Sequence, residues 1–202
     1  MIRTLVAITA LSMALGLALG TYVVTSERRS GEIGTTGRAL VGGPFALVDH
    51  TGRTTTDEDF RGRYMLVYFG FTHCPDVCPA ALQVMSAALD AVDASRTDIA
   101  PIFITVDPER DDVDLVRSYV SSFHPRFVGL TGTVEQVADA MRAYRVYAKA
   151  IKEAPDDTTS YNVDHSSLIY LMGPDGAYIT HFSHATSIDQ LTARLRGLPQ
   201  VS

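Results

Sequence analysis

Hydrophobic and polar positions alternate with a changing period along this chain, and the changes mark out its elements. Phe45–Val48 is a short apolar run, turned back by Asp49-His-Thr-Gly52, and 54–63 is polar. Met65–Gly70 is apolar without alternation, the pattern of a strand buried on both faces. A helical spacing follows, through Leu82, Val84, Met85, Ala88, Leu89 and Val92, and is expected to run to about Ala94. A second continuous apolar run covers 100–106. Leu115, Val116, Tyr119 and Val120 then line one face of a helix over Val113–Phe123. Phe127–Leu130 is a third strand, and Val134, Val137 and Met141 mark a helix over Thr133–Tyr144. Tyr147–Ile151 has strand character and precedes an acidic loop, Glu153–Asp157. Leu168–Met172 and Ala177–Thr180 flank Gly-Pro-Asp-Gly, a turn signal that makes them a hairpin. Ile188–Leu198 closes the chain as a helix.

Strand–helix–strand alternation followed by a hairpin and a helix is the order of an α/β, thioredoxin-like fold, a central mixed sheet flanked by helices. The N-terminus adds something else. Thr4–Thr25 carries no charge, and Leu5–Val24 is mostly Leu, Ala, Val and Gly. Twenty such residues at ~1.5 Å each match the ~30 Å hydrocarbon core of a bilayer. The stretch continues past the usual length of a cleaved signal peptide, so the expectation is a single N-terminal transmembrane helix that stays attached. Arg3 on one side and Arg28 and Arg29 on the other leave the orientation nearly balanced. The expected organisation is an anchor over 1–25, a flexible Gly/Ser/Thr-rich tether over 26–40 and one domain over 41–202. Of the 17 Lys and Arg residues only Arg3 lies in the anchor, against 23 acids outside it, so the rest carries a net charge of −7. No basic patch with interleaved aromatics exists, which disfavours nucleic acid as a partner.

The candidate chemistry is concentrated at the end of the first buried strand. Phe71-Thr-His-Cys-Pro-Asp-Val-Cys-Pro79 holds Cys74 and Cys78, the only two cysteines of the chain. A dithiol at the carboxyl end of a strand and the start of a helix lies where open α/β sheets place their sites. A purely structural disulfide closing so short a loop would gain little chain entropy. Two chemistries remain, disulfide exchange and metal binding. For exchange, Cys78 in the first helical turn would lie within reach of Cys74, with Asp76 as a candidate helix cap. Against it, the chain has no Trp, and no proline occurs between Pro155 and Pro174, where thioredoxin-like enzymes carry the cis-proline that faces their dithiol. That place reads Val163-Asp-His-Ser-Ser167, which would direct His165 at the two sulfurs. Two thiolates and an imidazole suit copper; a structural zinc would ask for a fourth ligand that the sequence lacks.

Taken together, the Cys74/Cys78 stretch, Val106-Asp-Pro-Glu-Arg-Asp111 and Tyr161–Gly176 (YNVDHSSLIYLMGPDG) resemble the Sco/SenC family of copper proteins. The resemblance covers roughly Gly42 to the C-terminus. It implies a membrane-tethered thioredoxin-like domain that takes copper, as Cu(I) or Cu(II), on Cys74, Cys78 and His165. It also implies assistance to the CuA centre of cytochrome c oxidase, with the oxidase subunit carrying that site and other copper donors as partners. The family alternative is a thiol–disulfide oxidoreductase in which Cys74 and Cys78 form the redox-active pair and reduce the oxidase cysteines. The implied location is the inner membrane, with the domain facing the periplasm. His73 is expected to point away from the site, and Asp107 and Arg110 to form a salt-bridged loop beside it. Asp164 is read as either an exposed turn carboxylate or a group that holds a neighbour. His50, His124, His181 and His184 are read as surface residues, and Met141 and Met172 as core.

Overall fold

The two unalternating apolar runs become the centre of the sheet. The computed structural model describes residues 40–92, 96–152 and 161–201. The expected anchor and most of the tether lie outside them, and among the described residues no helix is long and apolar enough to cross a membrane. Strand β3 (Tyr64–Gly70) and strand β4 (Ile99–Thr105) are buried at every position and pair in parallel, Tyr68 opposite Phe103 and Gly70 opposite Thr105. Burial on both faces needs helices on each side: the two crossover helices cover the face of Tyr68 and Phe103, and the later helix over Val134–Tyr144 covers the opposite face at Phe69. Helix α1 (Val77–Ala91) links β3 to β4, and α2 (Val113–Val120) links β4 to a third parallel strand, β5 (Val128–Thr131).

Two antiparallel additions complete the sheet. On one side β1 (Ala46–Asp49) pairs with β5 and with the short edge strand β2 (Thr54–Thr56). On the other, β8 (Leu168–Met172) pairs with β3 and with β9 (Tyr178–Ser183), giving seven strands in the order β2-β1-β5-β4-β3-β8-β9. The polar 54–63 segment thus contains an edge strand and a 3-10 turn, Asp57–Phe60, that its composition hid. Strand β6 (Ala148–Lys152) and strand β7 (Tyr161–His165) form a separate two-stranded sheet, with Ala148 opposite His165. Helix α3 (Val134–Tyr144) precedes this hairpin, and α4 (Ile188–Arg196) ends the fold against α1.

Strand alternation decides which helix meets which face. Tyr68, Phe103 and Gly129 are cross-strand neighbours and share a face. The α2 residue Tyr119 packs its ring 5.2 Å from that of Phe103 there. Phe69 points the other way, its ring 5.2 Å from Tyr144 of α3 and 6.2 Å from Tyr170 of β8. Helices α2, α3 and α4 are capped in the ordinary manner. Asp112, Thr133 and Ser187 accept from Leu115 N, Gln136 N and Gln190 N. Helix α1 is the exception, and the reason lies in the site.

Close approach of α2 to β5 depends on a missing side chain. A Cβ at Gly129 would lie 2.5 Å from Val116 Cγ1 and 3.0 Å from Val120 Cγ1, and both valines are themselves fixed in the core. Gly129→Ala should therefore destabilise the domain by about 1–3 kcal/mol through overpacking, measured as a lowered urea midpoint with unchanged slope. A midpoint at or above that of the parent would show that α2 shifts freely on the sheet.

Candidate metal centre

Between the last residue of β3 and the first of α1 the chain has six residues in which to turn, and it turns around a sulfur. Cys78 is the second residue of the helix and Pro79 the third. A first-turn N–H has no helical partner to lose, so the proline costs nothing there. The first i→i−4 bond runs from Ala80 N to Asp76 O at 3.1 Å. Asp76 stands at the N-cap position but its side chain makes no capping hydrogen bond, contrary to the expectation from sequence. The sulfur of Cys74 takes the part: the Cys78 N–H donates to Cys74 Sγ at 3.4 Å. A helix start with its unpaired donors directed at a sulfur favours a thiolate there.

Cys78 is fully buried, and its place is made by Gly70. A Cβ on Gly70 would lie 2.9 Å from Cys78 Sγ and 2.9 Å from Tyr68 Cε1, with Phe103 at 3.1 Å. The sulfur rests against bare backbone in a pocket walled by Tyr68 and Phe103. Cys74 is half-buried, and both thiols are free.

His165 arrives from the other side, at the end of β7 and just ahead of β8. Its Nδ1 lies 3.2 Å from the Ser166 carbonyl, and its Nε2 is 3.4 Å from Cys78 Sγ. With Nδ1–H donating to that carbonyl, Nε2 carries the lone pair that faces the sulfur. Phe71 and Tyr68 hold the ring edge-on from two sides, with centroids 5.8 and 6.2 Å away. The residues expected from sequence to converge, Cys74, Cys78 and His165, thus line one corner of the fold. In front of them opens a cleft of about 320 Å3, bounded by Pro75, Val77, Ile151 and the carboxylates of Asp76 and Asp164.

The two thiols are made unequal by their surroundings. The hydrogen bond from the Cys78 thiol holds the Cys74 pKa down, to about 4, against the opposing effect of burial; the amides of Cys78 and Asp76 add to the lowering. The neighbouring Cys74 sulfur, with burial behind it, pushes the Cys78 thiol up. One sulfur is a ready nucleophile or ligand, and the other keeps its proton until something replaces it.

Donor chemistry and spacing fit a soft metal ion. Among the described residues no three Cys, His, Asp or Glu side chains are already closed into a coordination shell. Instead Cys78 and His165 are in hydrogen-bond contact at 3.4 Å. Two donors bound at ~2.3 Å (sulfur) and ~2.0 Å (nitrogen) to one trigonal ion would stand ~3.7 Å apart. Replacing the thiol proton by a metal therefore asks for an opening of only a few tenths of an ångström.

Sequence reading missed what holds the dithiol loop. The buried carboxylate of Asp111 accepts from Thr72 N at 2.9 Å, Thr72 Oγ1 at 2.6 Å and Thr105 Oγ1 at 2.7 Å. It ties the residue two before Cys74 to the end of β4. Only the position of Val106–Asp111 at the carboxyl end of a buried strand pointed to such a role. Asp107 and Arg110 do form an ion pair, at 2.5 Å. His73 turns away from the dithiol, half-exposed, with Nδ1 3.1 Å from Thr72 Oγ1 and 3.6 Å from Asp111 Oδ1. Asp164 is exposed at the cleft. Met172 is buried and Met141 packs against the core. His124 is not the surface residue its sequence context suggested: its side chain is 10% exposed, and Nδ1 accepts from Arg126 N at 3.1 Å.

Comparison with known proteins assigns the family. The family model described as SCO1/SenC matches residues 33–200, and the chain belongs to that family. It is 45% identical over 161 residues to the human protein SCO1 homolog, mitochondrial, covering 79% of this chain and 53% of that protein. It is 39% identical over 198 residues to Schizosaccharomyces pombe protein sco1, covering 94% and 75%. The chain spans about half to three-fifths of the length of the first mitochondrial relatives it matches. Among solved structures, Arabidopsis thaliana ScoI with copper bound superposes with a TM-score of 0.71 at 41% identity, over 77% of this chain and 96% of that one. Bradyrhizobium japonicum ScoI with copper bound gives 0.70 at 40%, over 77% and 98%.

The inequality of the thiols has a direct readout. In the reduced protein, iodoacetamide should label Cys74 at least about tenfold faster than Cys78. A lowered pKa leaves the thiolate present above it, so the Cys74 rate should hold from about pH 8 down to about pH 5 and fall only towards about pH 4. Peptide mass spectrometry after timed quenching measures both rates. Preferential labelling of Cys78, or a Cys74 rate that drops steadily below about pH 8, would refute the assignment.

Proposed function

We propose that this protein is a membrane-tethered copper chaperone that carries one copper ion on Cys74, Cys78 and His165 and helps assemble the CuA centre of cytochrome c oxidase. The observation that carries the reading is the approach of His165 Nε2 to Cys78 Sγ, 3.4 Å apart, in a dithiol loop where exchange alone has no use for an imidazole. Relatives solved with copper bound support the choice of metal. Residues 1–25 serve as the anchor and 26–40 as the tether, which leaves the domain over 41–202 free to reach a partner on the periplasmic side of the inner membrane. The mitochondrial names of the relatives agree with a place beside a respiratory membrane.

Loading follows from the inequality of the sulfurs. Cys74 offers a thiolate first; Cys78 then gives up its proton as the metal takes its place, and His165 Nε2 closes the set. A disulfide between Cys74 and Cys78 has no thiolate to offer, so only the reduced protein loads. Delivery starts from the accessible side. Cys74 and His165 line the open cleft and Cys78 lies buried beneath, so incoming thiolates reach the first two before the third.

The second reading, a thiol–disulfide reductase for the oxidase cysteines, rests on the same low-pKa Cys74. His165 separates the two. In the full-length protein, His165→Ala should weaken Cu(I) binding by more than ~100-fold in competition with a chelator while leaving dithiol exchange near the parent rate. In cells lacking the native protein the variant should not restore oxidase assembly. Full assembly with His165→Ala would sink the chaperone reading and leave the reductase.

A further inference from the structure

His165 is carried by a hairpin that the main sheet does not hold. Among the described residues strands β6 and β7 pair only with each other, and His165 sits at the end of β7 that runs on into β8. That end is fixed by Ser166 N donating to Tyr147 O at 2.9 Å and by the rings of Phe71 and Tyr68. Four residues earlier, at the opposite end of β7, Tyr161 meets the loop after β4. Its hydroxyl donates to Asp107 Oδ1 at 2.6 Å, and its carbonyl accepts from Arg110 Nη1 at 2.8 Å. The Cζ of Arg110 lies over the Tyr161 ring, 3.6 Å from its centroid, and the Arg110 Nε donates to Asp107 Oδ2 at 2.5 Å. All three groups thus contact one another.

We propose that Asp107, Arg110 and Tyr161 form a clamp that holds the β6–β7 hairpin so that His165 faces the dithiol, making them positioning residues for the third copper ligand. The inference rests on the reading of His165 as a ligand and adds what keeps it there. Three features support it. The ion pair is shielded, with Arg110 12% and Asp107 5% exposed, so its geometry is defined more sharply than that of a surface pair. Burial, and then the Asp107 carboxylate, pushes the Tyr161 phenol up to about 12, which keeps it a donor throughout the neutral range. Finally, Arg110 also lies 5.9 Å from the ring of Phe71, which packs edge-on against His165 at 5.8 Å. The guanidinium therefore reaches His165 by two routes, along the strand and through Phe71. One of its nitrogens, Nη2, is buried with no hydrogen-bond partner, a cost borne by a side chain in a position fixed by its other contacts.

The clamp differs from Asp111 in what it holds. Asp111 grips Thr72 and the sulfur-bearing loop, whereas Arg110 grips the histidine-bearing strand. Releasing the clamp should spare the thiols and loosen only the imidazole, leaving copper on two sulfurs.

The test compares the full-length parent with Arg110→Gln, Tyr161→Phe, His165→Ala and the Arg110→Gln/His165→Ala double variant. Arg110→Gln should lose ~10–100-fold in Cu(I) affinity, the range found when a partner orienting a metal-binding histidine is removed. Tyr161→Phe keeps the ring and loses one hydrogen bond, so it should lose less in the same direction. The double variant should bind no more weakly than His165→Ala alone, because both changes remove one interaction. Without metal, the His165 imidazole resonances should shift in Arg110→Gln and Tyr161→Phe while the Cys74 alkylation rate stays at the parent value. Parent affinity and unshifted resonances in Arg110→Gln would overturn the clamp, while loss in His165→Ala would leave the copper reading standing. Further loss in the double variant, or collapse of Cys74 alkylation, would overturn it too, by placing Arg110's effect elsewhere. Should Arg110→Gln not fold, Tyr161→Phe decides on the same resonances and affinity. Parent affinity in His165→Ala would remove the ligand reading itself, and the clamp with it.

Discussion

Everything at this site depends on a sulfur packed against a backbone that has no side chain. Cys78 can be buried in the first turn of α1 only because Gly70, directly beneath it, leaves room. Once Cys78 is seated there, its amide points at Cys74 and its sulfur at His165. A single methyl group at position 70 would collide with the sulfur, with the Tyr68 ring and with the Phe103 ring at once, and all three are buried. Relief by rotation is therefore closed off, and the helix start would have to lift. The parallel pair β3–β4 supplies the stiffness that makes the contact meaningful, since both strands are covered on both faces.

Two carboxylates extend that stiffness outward in different directions. Asp111 accepts three hydrogen bonds, two from Thr72 and one from Thr105, and so joins the dithiol loop to the adjacent strand. Asp107, four residues earlier, faces Tyr161 and Arg110 instead. One short turn after β4 thus touches both halves of the site, the sulfurs through Asp111 and the imidazole through Asp107. Such a turn is the natural place to couple the two halves, since a shift of β4's end would move both.

The central elements were legible because their signal is local. The six consecutive apolar residues Met65–Gly70 have the pattern of a doubly buried strand, and the helical spacing of Leu82, Met85 and Leu89 repeats over two turns. Cys74, Cys78 and His165 were legible for another reason: the sequence has only two cysteines, and a histidine stands where a proline was expected. What stayed hidden depends on contacts distant in sequence. Thr54–Thr56 showed only as part of a polar segment, and it is a strand because β1 offers an edge. Asp76 had the composition of a cap, but the Cys74 sulfur reached the amide first. His124 reads as a surface residue because no motif claims it, yet its ring is covered and accepts from Arg126 N. Asp111 is one of several acids in a charged stretch, and nothing in its neighbours distinguishes a carboxylate buried under Thr72 and Thr105 from one in solvent.

The histidine also bears on why a fold suited to disulfide exchange would give up its proline. In exchange, the residue facing the dithiol should leave the sulfurs free to meet each other and a substrate sulfur. An imidazole nitrogen 3.4 Å from the buried sulfur adds nothing that exchange requires, and it offers a third donor beside the two sulfurs. That donor is idle in a reductase and an asset for a carrier. A carrier must hold its ion tightly enough to exclude water yet release it to thiols, and a nitrogen donor that lines the open cleft is the ligand of the three most easily exchanged. The sulfurs are fixed by the core, and the nitrogen is fixed by a strand outside it. Placing the nitrogen on the separate hairpin allows one ligand to leave without disturbing the packing that holds the other two.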